Sequence, residues 1–229
     1  MTAPGERYEL RRHATLFTRP SVLLSASIVE LSRRDEARHA PAPPATVQDA
    51  VVQLTRGVLR HGWNLVCGGH PWTTPLLLGV AAEFQAQHHG RVICFQSEEF
   101  LGQIPQATFG LWKHGHVLRT ERKGKLAASL AHMRAQMIQV PSLAAAGFVG
   151  GMKGVADEAE LVARRLGTPP PCYALPGTGS AAADLFERDP KRFSGGSSDL
   201  EHRMPAARGQ VAVARRVVRD IAGRMGGRP

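Results

Sequence analysis

Four short stretches of this chain have the composition of turns that close around an anion. Gly68-Gly69-His70-Pro71 follows the apolar run Asn64–Cys67 and leads through Trp72, Thr73 and Thr74 into Pro75. Gly150-Gly151-Met152-Lys153-Gly154 follows Gly147–Val149, and Pro176-Gly177-Thr178-Gly179-Ser180-Ala181 follows Cys172–Leu175. The fourth, Ser25-Ala26-Ser27, closes a run that begins at Ser21. Glycine has no Cβ, so a ligand can come close to backbone N–H groups there. A helix that starts just beyond such a turn adds partial positive charge. The chemistry these turns suit is the binding of a phosphate-bearing, nucleotide-type small molecule.

Individual side chains could add to it. His70 can donate to a phosphate or ribose hydroxyl, or bond a loop carbonyl instead. Glu158 can act as an acid–base group or accept from a ribose hydroxyl, or simply favour the start of a helix. Lys153, set among glycines, suits a phosphate, and Trp72 suits either a base or the core. Glu98 and Glu99 follow the run Arg91–Gln96, where paired carboxylates could do acid–base work or open a solvated helix. His88, His89, His114 and His116 lack a carboxylate or cysteine at ligand spacing, so no metal is expected, and no cofactor. Neither a G-x-x-x-x-G-K-[ST] loop nor a G-x-S-x-G elbow occurs, which argues against P-loop NTPases and serine hydrolases.

The turns need a scaffold, and the apolar pattern supplies one. Short apolar runs over Ser21–Ile28, Asn64–Cys67, Arg91–Gln96, Val117–Arg119, Gly147–Val149 and Cys172–Leu175 predict strands. Helical stripes cover Thr46–His61, Pro75–Gln87, Lys125–Gln139, Val155–Leu166, Ser180–Glu187 and Val211–Met225, with Leu126, Leu130, Met133 and Met137 on one face of the third. Thr74 is the expected N-cap of the second helix and Pro75 its first residue. Arg33–Pro44 is a charged, proline-rich link, and Arg192–Ser198 (RFSGGSS) reads as a loop. Strands alternating with helices predict a single Rossmann-like α/β domain, a parallel sheet with helices on both faces. Right-handed crossovers would bring the glycine turns to the carboxyl edge of that sheet, lining one pocket.

Composition agrees. Of 229 residues, 43% are hydrophobic, enough for a packed core. No apolar run is long enough to span a bilayer, and the charged N-terminus lacks the apolar stretch of a signal peptide, so a cytoplasmic protein without a membrane partner is expected. Cys67, Cys94 and Cys172 are scattered through apolar runs and should be buried free thiols. Lys and Arg outnumber Asp and Glu by 29 to 19, and residues 189–229 alone hold nine of the former against four of the latter. A basic balance favours polyanions, so nucleic acid is a further candidate partner through this C-terminal segment.

A strand ending SAS, then GGHPxxxP, then GGMxGVxxE, then GTGSAA resembles the SLOG superfamily over Ser21–Glu187. That Rossmann-like group includes DNA-processing protein A and the Lonely Guy phosphoribohydrolases, and the likeness is greatest to its nucleotide sensors in prokaryotic defence and conflict systems. The resemblance assigns phosphate or ribose contacts to Ser25, Ser27, Gly68, Gly69 and His70. It assigns Gly150, Gly151, Gly154 and Glu158 to the second turn, and Gly177, Thr178, Gly179 and Ser180 to the third. Phosphoribohydrolases carry PGGxGTxxE at the second turn, where the glutamate takes part in N-glycosidic cleavage. In this chain Val149 replaces the proline, the turn is one residue longer, and Val155 replaces the threonine. Three functions follow: a sensor of a nucleotide-derived signal, with a homo-oligomer or effector protein as partner; a hydrolase of nucleoside monophosphates with Glu158 catalytic; or a DNA-binding protein like DNA-processing protein A. The expected organisation is an N-terminal extension (1–20), the nucleotide-binding domain (21–190) and the basic loop and helix (191–229).

Overall fold

The computed structural model describes residues 6–9, 11–29, 38–84, 91–104, 106–207 and 209–226. Residues 33–37 of the link expected over Arg33–Pro44, the end of the helix expected over Pro75–Gln87, and His88 and His89 lie outside them.

The strands are β1 (Glu6–Arg7), β2 (Ser21–Ser27), β3 (Asn64–Gly68), β4 (Val92–Ser97), β5 (His116–Thr120), β6 (Leu143–Gly150) and β7 (Cys172–Leu175). Their order in the sheet is β1-β5-β4-β3-β2-β6-β7, and each pairing with a described register is parallel. This is the Rossmann-like α/β architecture that the alternating pattern predicts. The helices are α1 (Pro44–Arg60), α2 (Thr73–Ala82), α3 (Gln106–Leu111), α4 (Leu126–Ile138), α5 (Lys153–Ala163), α6 (Ser180–Arg188), α7 (Pro190–Phe193), α8 (Ser198–Ala206) and α9 (Gln210–Arg224). Contacts divide the chain into two compact units, Met1–Leu23 with Val58–Leu143, and Leu24–Gly57 with Ala144–Pro229.

In the first unit β4 is buried at every position, which requires cover on both faces of a parallel strand. Both α2 and α4 pack on it. The stripe expected on α4 is shifted: Ser129, Met133, Met137 and Ile138 are buried, whereas Leu126 is about half exposed. Cys67 and Cys94 face each other in register on β3 and β4, and they and Cys172 are buried and not in disulfides. Elements here without a counterpart in the apolar pattern include β1, a 3-10 turn over Ala14–Phe17, and the α3 segment.

In the second unit β7 is buried throughout and α6, α7 and α9 pack on it. The basic C-terminal helix is not a loose appendage. Val213, Val217, Val218 and Ile221 of α9 are buried, and Gly57 of α1 makes room for Val218, whose Cγ2 would lie 2.6 Å from an added Cβ. Tyr173 donates its hydroxyl hydrogen to Asp220 across 2.6 Å. RFSGGSS is only partly loop: Phe193 closes α7, and Ser197 caps α8 by accepting from the Leu200 N–H at 3.4 Å. Gly195 and Gly196, at φ +67° and +76°, make the turn between the two helices.

Candidate functional site

Sheet order reverses between β2 and β6, and in open α/β sheets the crevice at such a reversal is where ligands sit. The residues leaving these strands belong to the second unit, and backbone bonds lock them together. The Gly151 N–H donates to the Ser27 carbonyl at 2.8 Å, and the Ala181 N–H donates to the Gly151 carbonyl at 3.1 Å. The Gly150 N–H donates to Thr178 Oγ1 at 2.8 Å, and that hydroxyl donates onward to the Leu175 carbonyl at 2.6 Å. Pro41, just before α1, pairs with Gly179. Ser27, Gly150, Gly151, Thr178, Gly179 and Ser180 are therefore brought together, with Ser25 buried behind Ser27 on β2.

The glycines do different work from that expected of them. The amides of Gly150 and Gly151 are taken by protein acceptors. Their φ values are +57° and +76°, a region that L side chains rarely adopt. A Cβ on Gly150 would come within 2.8 Å of the Ser27 carbonyl, one on Gly151 would overlap Val155, and one on Gly179 would overlap the Ala40 carbonyl. Glycine is needed for turn-to-turn packing. What the packing presents is two helix N-termini. Neither α5, after Met152, nor α6, after Gly179, has a side-chain cap. Gly154 lies in the first turn of α5, and Lys153 there reaches Asp157 at 2.7 Å.

Ser180 opens α6 with φ +52°, the single non-glycine in that region among the described residues, and its buried hydroxyl has no hydrogen-bond partner among them. Such strain costs roughly 1–3 kcal/mol and collects at functional sites. Gly177 is exposed, and a Cβ there would overlap the Gln210 amide, so α9 supports the third turn. Glu158 is only 9% exposed. It does not open α5 but lies in its second turn, on the stripe of Val155, Ala159 and Val162 that faces the core. His39 is a residue sequence reasoning missed: its Nε2 lies 3.0 Å from Glu187 and 3.4 Å from Asp184, both on α6. That bond and Arg38 hold the Glu187 carboxyl below the usual carboxylate range. Nothing in a local window links residues 39 and 187.

The turn of the first unit is built from side chains. The Gly69 N–H donates to the Phe95 carbonyl at 2.7 Å, and the buried Gln96 amide fills the space a Cβ at Gly69 would need. Gly68 sits over Met133, whose Cε would be 3.3 Å from a Cβ there. Thr74 is not the N-cap of α2: Trp72 stands there, and Thr74 Oγ1 accepts from the His70 N–H at 2.9 Å. Pro75 consequently lies at the third helical position. The Trp72 N–H donates to His70 Nδ1 at 3.2 Å, which makes Nδ1 an acceptor and puts the hydrogen of the neutral ring on Nε2. Glu98 and Glu99 open a 3-10 turn and pair with Arg7 at 3.4 Å and Arg122 at 2.7 Å, so they read as structural. Among the described residues no group of three or more His, Cys, Asp or Glu is placed to hold a metal, and no helix is long and apolar enough to cross a membrane.

Residues 38–204 match the model of the SLOG cluster3 family. The chain belongs to that family. The match takes in the glycine turns after β3, β6 and β7, starts after β2 and stops before α9. A solved structure titled as the X-ray structure of TM1055, a structural genomics target, is similar over 73% of this chain and 81% of its own, at 15% identity and a TM-score of 0.49. No curated protein matches the chain. As a SLOG protein it is a nucleotide-related, Rossmann-like chain.

Proposed function

We propose that this SLOG protein binds a phosphate-bearing nucleotide or nucleotide-derived signal at the strand exits of its second unit, and acts as a sensor in a defence or conflict system. The observation that carries the reading is the interlock of the Ser27, Gly150-Gly151 and Thr178–Ser180 turns, which sets two helix N-termini without side-chain caps beside the strained Ser180. Orphan N–H groups and the helix dipoles there suit phosphate oxygens. Lys153, Gly154 and the partly exposed Ser27 hydroxyl supply further donors. Within the first unit, the turn of Gly68, Gly69 and His70, whose ring hydrogen is on Nε2, is proposed separately as a contact for a phosphate or ribose hydroxyl. The bound signal is passed to an oligomer of the chain or to an effector protein.

Sensing is favoured over N-glycosidic hydrolysis by Glu158. A general acid must reach the bond it cleaves, whereas Glu158 lies on the core-facing stripe of α5. Thermal unfolding against a panel of nucleoside mono-, di- and triphosphates and cyclic dinucleotides tests the reading. A ligand at a hundred times its Kd stabilises the fold by about 2.7 kcal/mol. No shift with any member of the panel overturns it. For a ligand that does bind, Glu158→Gln separates the functions: a sensor keeps its affinity, and release of free base by the wild type but not by the variant marks a hydrolase.

A further inference from the structure

The C-terminal helix carries a surface that the strand-exit site does not use. α9 lies beyond the residues that match the SLOG cluster3 model, yet it is packed firmly within the second unit. Val213, Val217, Val218 and Ile221 face the core, and Gly57 of α1 makes room for Val218. Helical spacing then sends Ala212, Arg215, Arg219 and Gly223 outward, and all four are exposed.

The charges near this stripe divide by partner. Asp220 accepts from the Tyr173 hydroxyl at 2.6 Å and from Arg224 at 2.7 Å, so Arg224 is neutralised. Arg203 and Arg216 share Asp199, the second of them at 3.8 Å, and two guanidiniums on one carboxylate leave a net positive charge. Glu201 lies on the other side of α8, about 200° around the helix from Asp199. Arg215 bonds the neutral Gln53 amide at 3.4 Å, and no carboxylate pairs with Arg215 or Arg219 among the described residues.

Arg215 and Arg219 are one helical turn apart. That is about 6 Å along the axis, close to two base steps of a DNA strand at about 3.4 Å each. A firmly held ridge with this excess of positive charge is complementary to a phosphate backbone. No Phe, Tyr or Trp occurs in α8 or α9. Single-strand binders stack bases on aromatic side chains, so the ridge suits the backbone of a duplex and not unpaired bases.

We propose that α9 docks on double-stranded DNA through its backbone phosphates, whatever the base sequence and independently of the small ligand at the strand exits. Arg215, Arg216 and Arg219 each donate to a phosphate oxygen. Fluorescence anisotropy of the full chain with a labelled duplex of about 20 base pairs, read from about 50 to 200 mM salt, tests this. Three phosphate contacts give a slope of roughly −2.7 in log affinity against log salt, a loss of roughly 40-fold across that range. Arg215→Gln with Arg219→Gln should make the slope shallower by about 1.8 and weaken binding at low salt by roughly tenfold or more. Arg215→Lys with Arg219→Lys keeps the charge and should keep the slope, which separates lost phosphate contacts from a damaged helix. Removing equal charge at the exposed Arg38 and Arg164, both to Gln, should leave the slope in place. Lys153→Met should also leave it in place, which divides this surface from the phosphate site at α5. No binding to the duplex at the lowest salt overturns the proposal. So does tighter binding of a single strand of the same length, a double glutamine variant with the wild-type slope, or an equal loss in the Arg38 and Arg164 variant.

Discussion

The exits of β3 and of β6 carry the same two-glycine signature and are built in opposite ways. After β3, neither Gly68 nor Gly69 has a left-handed backbone, and the Gln96 amide and Thr74 hydroxyl shape the turn around them. After β6, Gly150 and Gly151 are left-handed and are packed onto a neighbouring backbone carbonyl and a core valine. A side-chain end can swing aside, but a carbonyl held in a sheet cannot. Two identical dipeptides thus tolerate change very differently, and only the second pair is obligatory for the fold.

The sharpest way to break this comparison is Gly179→Ala. A methyl there meets the Ala40 carbonyl at a φ of +71°, combining about 1–2 kcal/mol of backbone strain with about 1–3 kcal/mol of overpacking. Loss of about 3 kcal/mol, or roughly 10 °C in melting temperature for a chain of this size, is expected by calorimetry. Gly151→Ala should behave alike, so weakened ligand binding in that variant would reflect a damaged fold.

The second unit should also respond to alkali. Burial pushes the Cys172 thiol up to about 11 from 9.0, partly offset by Arg192, and raises the neighbouring Tyr173 hydroxyl above 10.0. The folded state then holds protons that the unfolded chain has released. Stability is full below pH 9 and declines as pH rises toward 11, by at most about 1.4 kcal/mol per unit for each group. Urea titrations should show that decline, and Cys172→Ala should remove the part beginning at pH 9. Tyr173→Phe should remove the part beginning at pH 10. A wild-type stability that is flat from pH 8 to 11 would falsify this account.

Next in size is Thr178→Val. It strands the Gly150 N–H without its acceptor, at about 1–3 kcal/mol, and Thr178→Ser should restore most of that loss. Gly69→Ala in the first unit should cost less, about 1 kcal/mol, because the Gln96 amide must only turn away. Equal losses at Gly69 and Gly151 would dissolve the distinction between the two turns.

This contrast explains what the sequence made legible. Apolar runs followed by glycine located the exits of β3, β6 and β7, since both features are local. The use made of each glycine was not local: Gly150 depends on Ser27 and Gly179 on Ala40, which lie more than a hundred residues away. Burial of Glu158 was visible as spacing, with Val155, Ala159 and Val162 on its face, yet the carboxylate drew the eye to chemistry. The start of α8 was equally present, as Ser197 with Asp199 and Glu201 in its first turn, but two preceding glycines gave it the look of a loop.

The smallest expected effect on stability is the most informative about function. Lys153 is largely exposed, and its 2.7 Å bond to Asp157 is an i,i+4 surface pair. Such pairs contribute about 0.3–0.5 kcal/mol, so Lys153→Met should unfold within about 0.5 kcal/mol of the wild type. If phosphate binds at the N-terminus of α5, the same ammonium gives a charge-assisted bond to ligand, and its removal should weaken binding by roughly tenfold or more. Stability and affinity should therefore separate at Lys153 and move together at Gly151. Calorimetric titration of both variants with whichever nucleotide shifts the wild type measures this directly. Unchanged affinity in a folded Lys153→Met protein would remove the start of α5 from the phosphate site.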